Sequence, residues 1–242
     1  RPMAMNRRMH NKAWIADGRA AVVGGRNVGD EYFDAASQTN FLDLDAVLLG
    51  PAVAQTEAIF DDFWNSASVI PLSALTAAEP GALEKLRENG DAGYRSSQAA
   101  DYVARLRRTP GMRALVGGNT LHWLDEVGVY SDPASKGRGE GQGQWLVHRL
   151  GRAMGEAKRE LRVISPYFVP GTEGTRWLVG KRAQGVDVSV LTNSLAANDV
   201  MAVHGGYAPY RIPLLEGGVE LFELMPHGKQ DSSLFGSSGA SL

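Results

Sequence analysis

Polar and apolar positions alternate in short runs near the start of the chain and settle into helix-spaced runs further on. The stretch RRMHNKAWIADGRAAVVGGRNVGDEYF, residues 7–33, holds two apolar runs separated by Asp17-Gly18, a turn signal. The second run closes on Gly24-Gly25, with Asn27 just beyond. This predicts a β-hairpin whose first strand carries His10 and Lys12 two positions apart, so that an extended chain presents both from one face. FLDLDAVLLGP then alternates around Asp43, Asp45 and Val47 before turning wholly apolar, as a buried strand does. Pro51 opens a predicted helix to about residue 66, with Val53, Thr56, Phe60, Phe63 and Trp64 on one stripe.

From about residue 72 to 120 the pattern shortens. TAAEPGALEKLRENG and AADYVARLRRTPG are helical patterns broken by Pro80, Gly81, Gly90, Pro110 and Gly111, and they read as a connector. A second α/β region follows. HWLDEVGVY reads as a strand and SDPASKGRGEGQGQ as a flexible polar loop. A helix over about 144–159 carries Leu146, Leu150, Ala153 and Ala157 at helical spacing. LRVISPYF and VDVSVLTNS read as strands flanking a helix over 173–184. Asn198 is the expected cap of a helix over 198–215, which Pro209 and Pro213 should end or kink, and VELFEL is a last strand. Strands alternating with helices imply crossover units, an α/β fold and a largely parallel sheet.

Composition narrows the function classes. The chain has 242 residues, of which 43% are hydrophobic, enough for one large or two ordinary domains with a sizeable core. Its net charge of -2 and pI near 6.2 give no global electrostatic footprint for nucleic acid. With no cysteine, disulfides, thiol nucleophiles and zinc–thiolate sites are excluded. No run reaches the ~18 apolar residues of a membrane-spanning helix, and no signal-peptide pattern opens the sequence. The opening Arg1-Pro2 and the closing LFGSSGASL suggest a piece of a longer protein.

The hairpin carries the chemistry. An imidazole and an ammonium aimed at one spot, with small residues alongside, suit a phosphorus centre: a nucleophile, a cation beside it, and room for phosphate oxygens to approach the backbone. His10, Lys12, Asp17, Gly24, Gly25 and Asn27 together form H-x-K-x4-D-x6-G-G-x-N. That pattern resembles the signature of the phospholipase D superfamily. NRRMHNKAWIADGRAAVVGGRNVGDEYF, LDLDAVLLGP, FWNSASVIP, SPYFVP, LTNSLAANDVMAVHGGYAPYR, GVELFEL and GSSGASL resemble, in order, the bacterial cardiolipin synthase branch of class C type. The resemblance covers nearly the whole chain and is weakest across 75–120.

What the resemblance implies is an α/β, bilobal phospholipase D-type fold, with mixed to largely parallel sheets flanked by helices and both lobes incomplete in this chain. Residues 1–72 would be the C-terminal part of the first lobe, 73–122 a helical connector and 123–242 the N-terminal part of the second. The family carries one signature per lobe, and the second normally starts directly after a stretch like GSSGASL, so a second histidine is expected beyond Leu242. The implied reaction is a two-step phosphodiester exchange. One histidine attacks phosphorus to give a phosphohistidine, and its partner protonates the leaving alkoxide.

Residue by residue, the resemblance makes His10 one of the two histidines and gives Lys12 and Asn27 the charge on the non-bridging oxygens, with no metal or cofactor needed. Asp43 would orient the imidazole, with Asp45 as the fallback, while Asp17 fixes the hairpin rather than touching substrate. Gly24 and Gly25 would border the phosphate. Tyr167, Asn193 and His204 would line a lipid-phosphate pocket, with core or helix-end roles as the alternatives for Tyr167 and His204. The implied partners are glycerophospholipids, phosphatidylglycerol first and phosphatidylethanolamine second, at a membrane surface (the bacterial inner membrane), with no nucleic acid.

His122, His148 and His227 are read as structural, and Arg105, Arg107 and Arg108 as a solvated helix face rather than a lipid-headgroup patch. GRGEGQGQ fits neither the P-loop nor the dinucleotide pattern. Two other classes of function stand beside the lipid enzyme. A nuclease would use the same signature on a nucleic-acid phosphodiester, against which the lack of basic excess counts. A lipid-binding fragment without turnover would have a nucleophile but no paired acid.

Overall fold

The computed structural model describes residues 9–36, 40–77, 79–108, 121–198 and 200–225. The chain divides into two compact α/β units, one through His148 and one from Arg149.

In the first unit, β1 (Lys12–Ala16), β2 (Ala20–Gly24) and β3 (Asp45–Leu49) form an antiparallel sheet in that order. Asp17 at φ 52° and Gly18 at φ 64° supply the two positive dihedrals of a primed hairpin turn, and the Arg19 N–H closes it on the Ala16 carbonyl at 2.9 Å. The register sets Lys12 opposite Gly24 and Gly24 opposite Asp45, with Trp14, Val22 and Val47 forming the next row. Side chains alternate across a strand, so these rows share one face. The other face is covered by α1 (Pro51–Trp64), which buries Ala52, Val53 and Thr56 against the sheet over Ala21.

The expected α1 stripe holds only in its first turns. Phe60 and Trp64 are exposed and stack on each other at 5.6 Å, because a helix of this length runs past a sheet only three strands wide. α2 (Ala82–Tyr94) starts after Gly81, at φ 77°, and runs straight through Gly90, where a break was expected; a helical glycine is a local cost of about 1 kcal/mol, not a stop. α3 (Ser97–Arg108) opens under the Ser96 hydroxyl, which accepts from the Ala99 N–H at 3.1 Å.

HWLDEVGVY is not a strand. It runs over α1, where the Gln55 amide donates to the Val127 carbonyl at 3.1 Å and accepts from the Val129 N–H at 2.9 Å. One side chain does here what a neighbouring strand would do. The glycine-rich stretch after it, expected to be flexible, is cross-linked. Asp132 accepts from the Leu146 N–H at 2.8 Å and pairs with Lys136 at 2.5 Å, and the Lys136 ammonium lies 5.0 Å over the Trp145 ring. Burial works against the ionised Asp132, but Lys136 and the Leu146 N–H more than offset it and hold its carboxyl below the usual range.

α4 (Leu146–Gly155) leads into the second unit. There β4 (Glu160–Ile164), β5 (Asp187–Asn193) and β6 (Glu220–Leu224) form a parallel sheet in chain order, joined by α5 (Gly171–Ala183) and by α6 (Met201–Tyr207) with α7 (Arg211–Glu216). The parallel sheet expected here is met, and the first unit's sheet, opened by the expected hairpin, is antiparallel, so the fold is mixed α/β. The core is Leu161, Leu178, Val186, Val188, Val190 and Leu214, with Phe168, Tyr207 and Val219. Lys181 is 7% exposed yet satisfied, its ammonium donating to the Gly155 and Ala157 carbonyls at the end of α4.

The single helix expected over 198–215 is three short pieces. The Asn198 side chain accepts from the Val200 N–H at 3.1 Å, and α6 starts only at Met201. Pro209 has no N–H to give the preceding turn, so a 3₁₀ turn over Ala208–Tyr210 intervenes before α7. Pro213 is tolerated because it lies in the first turn of α7, where backbone N–H groups have no helical partner.

Two glycines make a direct test of this packing. A Cβ at Gly24 would stand 2.0 Å from Asp45 Oδ1, whereas one at Gly90 would meet nothing within 4 Å. Gly24→Ala is expected to lower the unfolding free energy by about 1–3 kcal/mol and Gly90→Ala to raise it by up to about 1 kcal/mol, as read by denaturant titration. Equal effects would show that the Asp45–Gly24 contact is not as described.

Candidate active site

Lys12 is the first residue of β1, and its side chain folds back over His10, two residues earlier and exposed. The Lys12 ammonium lies 2.9 Å from His10 Nδ1 and 3.0 Å from Nε2, and it donates to the His10 carbonyl at 2.9 Å. One cation therefore faces both ring nitrogens and pins the backbone that carries the ring. Desolvation holds the Lys12 ammonium below the ordinary lysine value, while the Asp43 charge pulls it back up.

The glycine pair has a clear structural reason. Gly24 sits opposite Asp45 in the sheet, and the Asp45 carboxylate occupies the space a Cβ would fill. At Gly25 the same space is taken by the Asp43 carboxylate, 2.5 Å from where a Cβ would be. The room at the two glycines is thus filled by two acids arriving from the β3 side, rather than left open to a ligand. The acids then diverge. Asp43 Oδ1 accepts from the Leu44 N–H at 2.9 Å, and its charge acts on Lys12. Asp45 Oδ2 pairs with Arg26 Nε at 2.5 Å.

Asn27 donates to the Tyr32 hydroxyl at 2.7 Å, which fixes its amide at a recess of about 350 Å³ that it shares with Lys12 and Arg26. Tyr32 is braced in turn by Phe41, ring to ring at 5.1 Å. Asp17 lies at the other end of β1, about 16 Å along the strand from Lys12, and belongs to the turn. The structure therefore brings together His10, Lys12, Asn27, Gly24, Gly25 and Asp43, and leaves Asp17 apart. Sequence reasoning missed Tyr32 and Arg26. Arg26 falls in the unspecified slot of the signature, and its partner is nineteen positions away, so no local pattern announces the pair.

In the second unit, Tyr167 follows β4, Asn193 ends β5, and His204 lies in α6. The Tyr167 loop packs on α6: Val169 lies against Gly206, and the Phe168 ring meets Tyr207 edge-on at 5.8 Å. The His204 ring makes the same kind of contact with Tyr207 at 5.8 Å, with a buried Nδ1 that has no hydrogen-bond partner among the described residues. Tyr167 and His204 are thus on neighbouring elements at the end of the sheet where parallel strands finish, and Asn193 is on the adjacent strand. His227 lies outside the described residues. Among the described residues no cluster of His, Asp and Glu is arranged to hold a metal ion.

No protein-family model and no solved structure matches the chain. Curated relatives do. Cardiolipin synthase C of Escherichia coli strain K12 is 39% identical over 245 aligned positions, covering 98% of this chain and 52% of that protein. An uncharacterised protein of Helicobacter pylori strain J99 is 28% identical over 91% of this chain and 44% of its own length. Cardiolipin synthase A of Pseudomonas syringae is 24% identical over 92% of this chain and 37% of its own. The chain thus spans about half or less of the length of the curated relatives it matches. With the full H-x-K-x4-D-x6-G-G-x-N spacing carried on one hairpin and a 39% identical relative aligned along 98% of its residues, the chain is similar to about half of a cardiolipin synthase.

Proposed function

We propose that the protein transfers a phosphatidyl group between glycerophospholipids, making cardiolipin, with His10 as the nucleophile. The observation that carries this reading is the Lys12 ammonium held beside both nitrogens of the His10 ring and over its backbone. In the first step a His10 nitrogen bonds to phosphorus, the bond from phosphorus to the headgroup oxygen breaks, and a second imidazole protonates the departing alkoxide. In the second step an acceptor hydroxyl attacks phosphorus and gives its proton to that imidazole, and the phosphorus–nitrogen bond breaks to free His10. With phosphatidylglycerol as donor and acceptor, the products are cardiolipin and glycerol.

Lys12 follows the phosphoryl oxygens through both steps. Its contact with the ring is given up to the non-bridging oxygens when phosphorus enters between imidazole and ammonium. Asn27, steadied by Tyr32, adds a neutral donor. Asp43 favours the charged form of the lysine against desolvation and is the carboxylate assigned to orient the imidazole, with Asp17 holding the hairpin turn. Tyr167, Asn193 and His204 are assigned to the lipid phosphate. The reaction is set at a membrane surface, with the bacterial inner membrane as its place; among the described residues no helix is long and apolar enough to cross a membrane. Of the five histidines only His10 opens the full H-x-K-x4-D-x6-G-G-x-N spacing, so these 242 residues by themselves are expected to make no cardiolipin.

The test uses the whole natural protein with phosphatidylglycerol vesicles and, separately, single-stranded DNA. Cardiolipin and glycerol formed in equal amounts are expected from the vesicles. Turnover of the DNA with none from the lipid would replace the reading with that of a nuclease.

A further inference from the structure

Arg26 stands in the unspecified slot of the signature, beside Lys12. Its guanidinium is fixed on two sides: Nε is held by Asp45 at 2.5 Å, and the Phe33 ring lies under its central carbon at 5.5 Å. The two Nη groups have no hydrogen-bond partner among the described residues. Arg26 and Lys12 together border two adjoining recesses of about 350 and 370 Å³. The first also reaches Asn27, whereas the second runs along the sheet face over Trp14, Val22 and Phe33. Lys12, whose ammonium touches the His10 ring, lines both recesses with Arg26, so the two cations border one continuous surface beside the His10 site.

We propose that Arg26 binds the second, non-reacting phosphodiester of a phospholipid acceptor. The inference rests on the transferase reading above. Its physical basis is that such an acceptor brings two demands that a simple alcohol does not. Its hydroxyl must reach phosphorus at His10, while its own anionic phosphodiester, one glycerol unit away, must be placed and neutralised. A guanidinium pre-set on one edge and one face offers two parallel N–H donors to that group, at less ordering cost than a free side chain. Asp45 draws on the Nε edge only and leaves the remaining fork open. The apolar walls of the second recess suit the less polar part of the same lipid.

The test compares two acceptors at one donor. The whole natural protein is given phosphatidylglycerol in mixed micelles with 1-butanol present, and cardiolipin and phosphatidylbutanol are measured together. Arg26→Gln is expected to lower the ratio of cardiolipin to phosphatidylbutanol by about 10–100-fold, the size of losing a charge-assisted hydrogen-bonded contact. Arg26→Lys keeps the charge and the apolar stem but loses the fork, and its ratio is expected to fall between the two. Formation of phosphatidylbutanol by either variant shows that it is folded. A wild-type ratio in Arg26→Gln, or a parallel fall of both products in both variants, would overturn the assignment while leaving the transferase reading in place. Neither product from the wild-type protein would instead overturn the transferase reading and the assignment with it.

Discussion

Replacing His10 by alanine in the whole natural protein is expected to abolish cardiolipin formation, by at least about 10⁴-fold, the scale seen when a covalent nucleophile is removed. The structure gives this substitution a clean reading. His10 is exposed and precedes β1, so its ring takes no part in the core that Ala21, Val53 and Thr56 make with α1. Thermal unfolding should therefore move by less than about 1 kcal/mol, the usual range for an exposed side chain. A large loss of stability alongside the loss of activity would mean that the imidazole holds the hairpin rather than attacks phosphorus.

Lys12→Ala is expected to lower kcat/KM by about 30–1000-fold, corresponding to about 2–4 kcal/mol of transition-state stabilisation from one charge-stabilising donor. The effect should appear in kcat, because the ammonium meets its full partner only as charge gathers on the non-bridging oxygens. A change confined to KM would reassign Lys12 to ground-state binding. Lys12→Arg should recover part of the loss, since charge survives while the compact ammonium between ring and backbone does not.

The same lysine predicts a pH dependence. Activity needs it protonated, so the rate should fall on the alkaline side, and desolvation brings that fall nearer to neutral pH than for a free lysine. The Asp43 charge works against this shift, by favouring the protonated form. Asp43→Asn removes the opposing charge, so the alkaline limb should move further toward neutral pH. A limb that stays in place, or moves to higher pH, would show that Asp43 does not act on Lys12.

Much of this was legible in the residues. Asp17-Gly18 marked the hairpin because few residue pairs accept positive φ twice in succession, and Pro51 marked the start of α1 because its missing N–H costs nothing there. β4, β5 and β6 were readable from their apolar runs, and α5 from its place between them. What escaped were features decided by distant partners. HWLDEVGVY has the composition of a strand, but its backbone groups are met by the Gln55 side chain, seventy-odd positions earlier. Gly90 looked like a stop, yet hydrogen bonds on either side carry the helix through it. At the site, the six signature positions were plain from spacing, whereas the reason for the glycines was not. Only the fold shows Asp43 and Asp45 lying where their side chains would be, and Arg26 drawn to the second of those acids.

The central claim is that His10 carries the phosphatidyl group between donor and acceptor. The most direct measurement is a rapid-quench experiment with phosphatidylglycerol labelled with ³²P at its phosphate. The whole natural protein would be quenched under conditions that preserve phosphorus–nitrogen bonds, and the labelled peptide mapped. Label on the peptide containing His10, formed before cardiolipin and absent from His10→Ala, is the predicted result. Label on a different histidine, or an adduct that persists in His10→Ala, would contradict it.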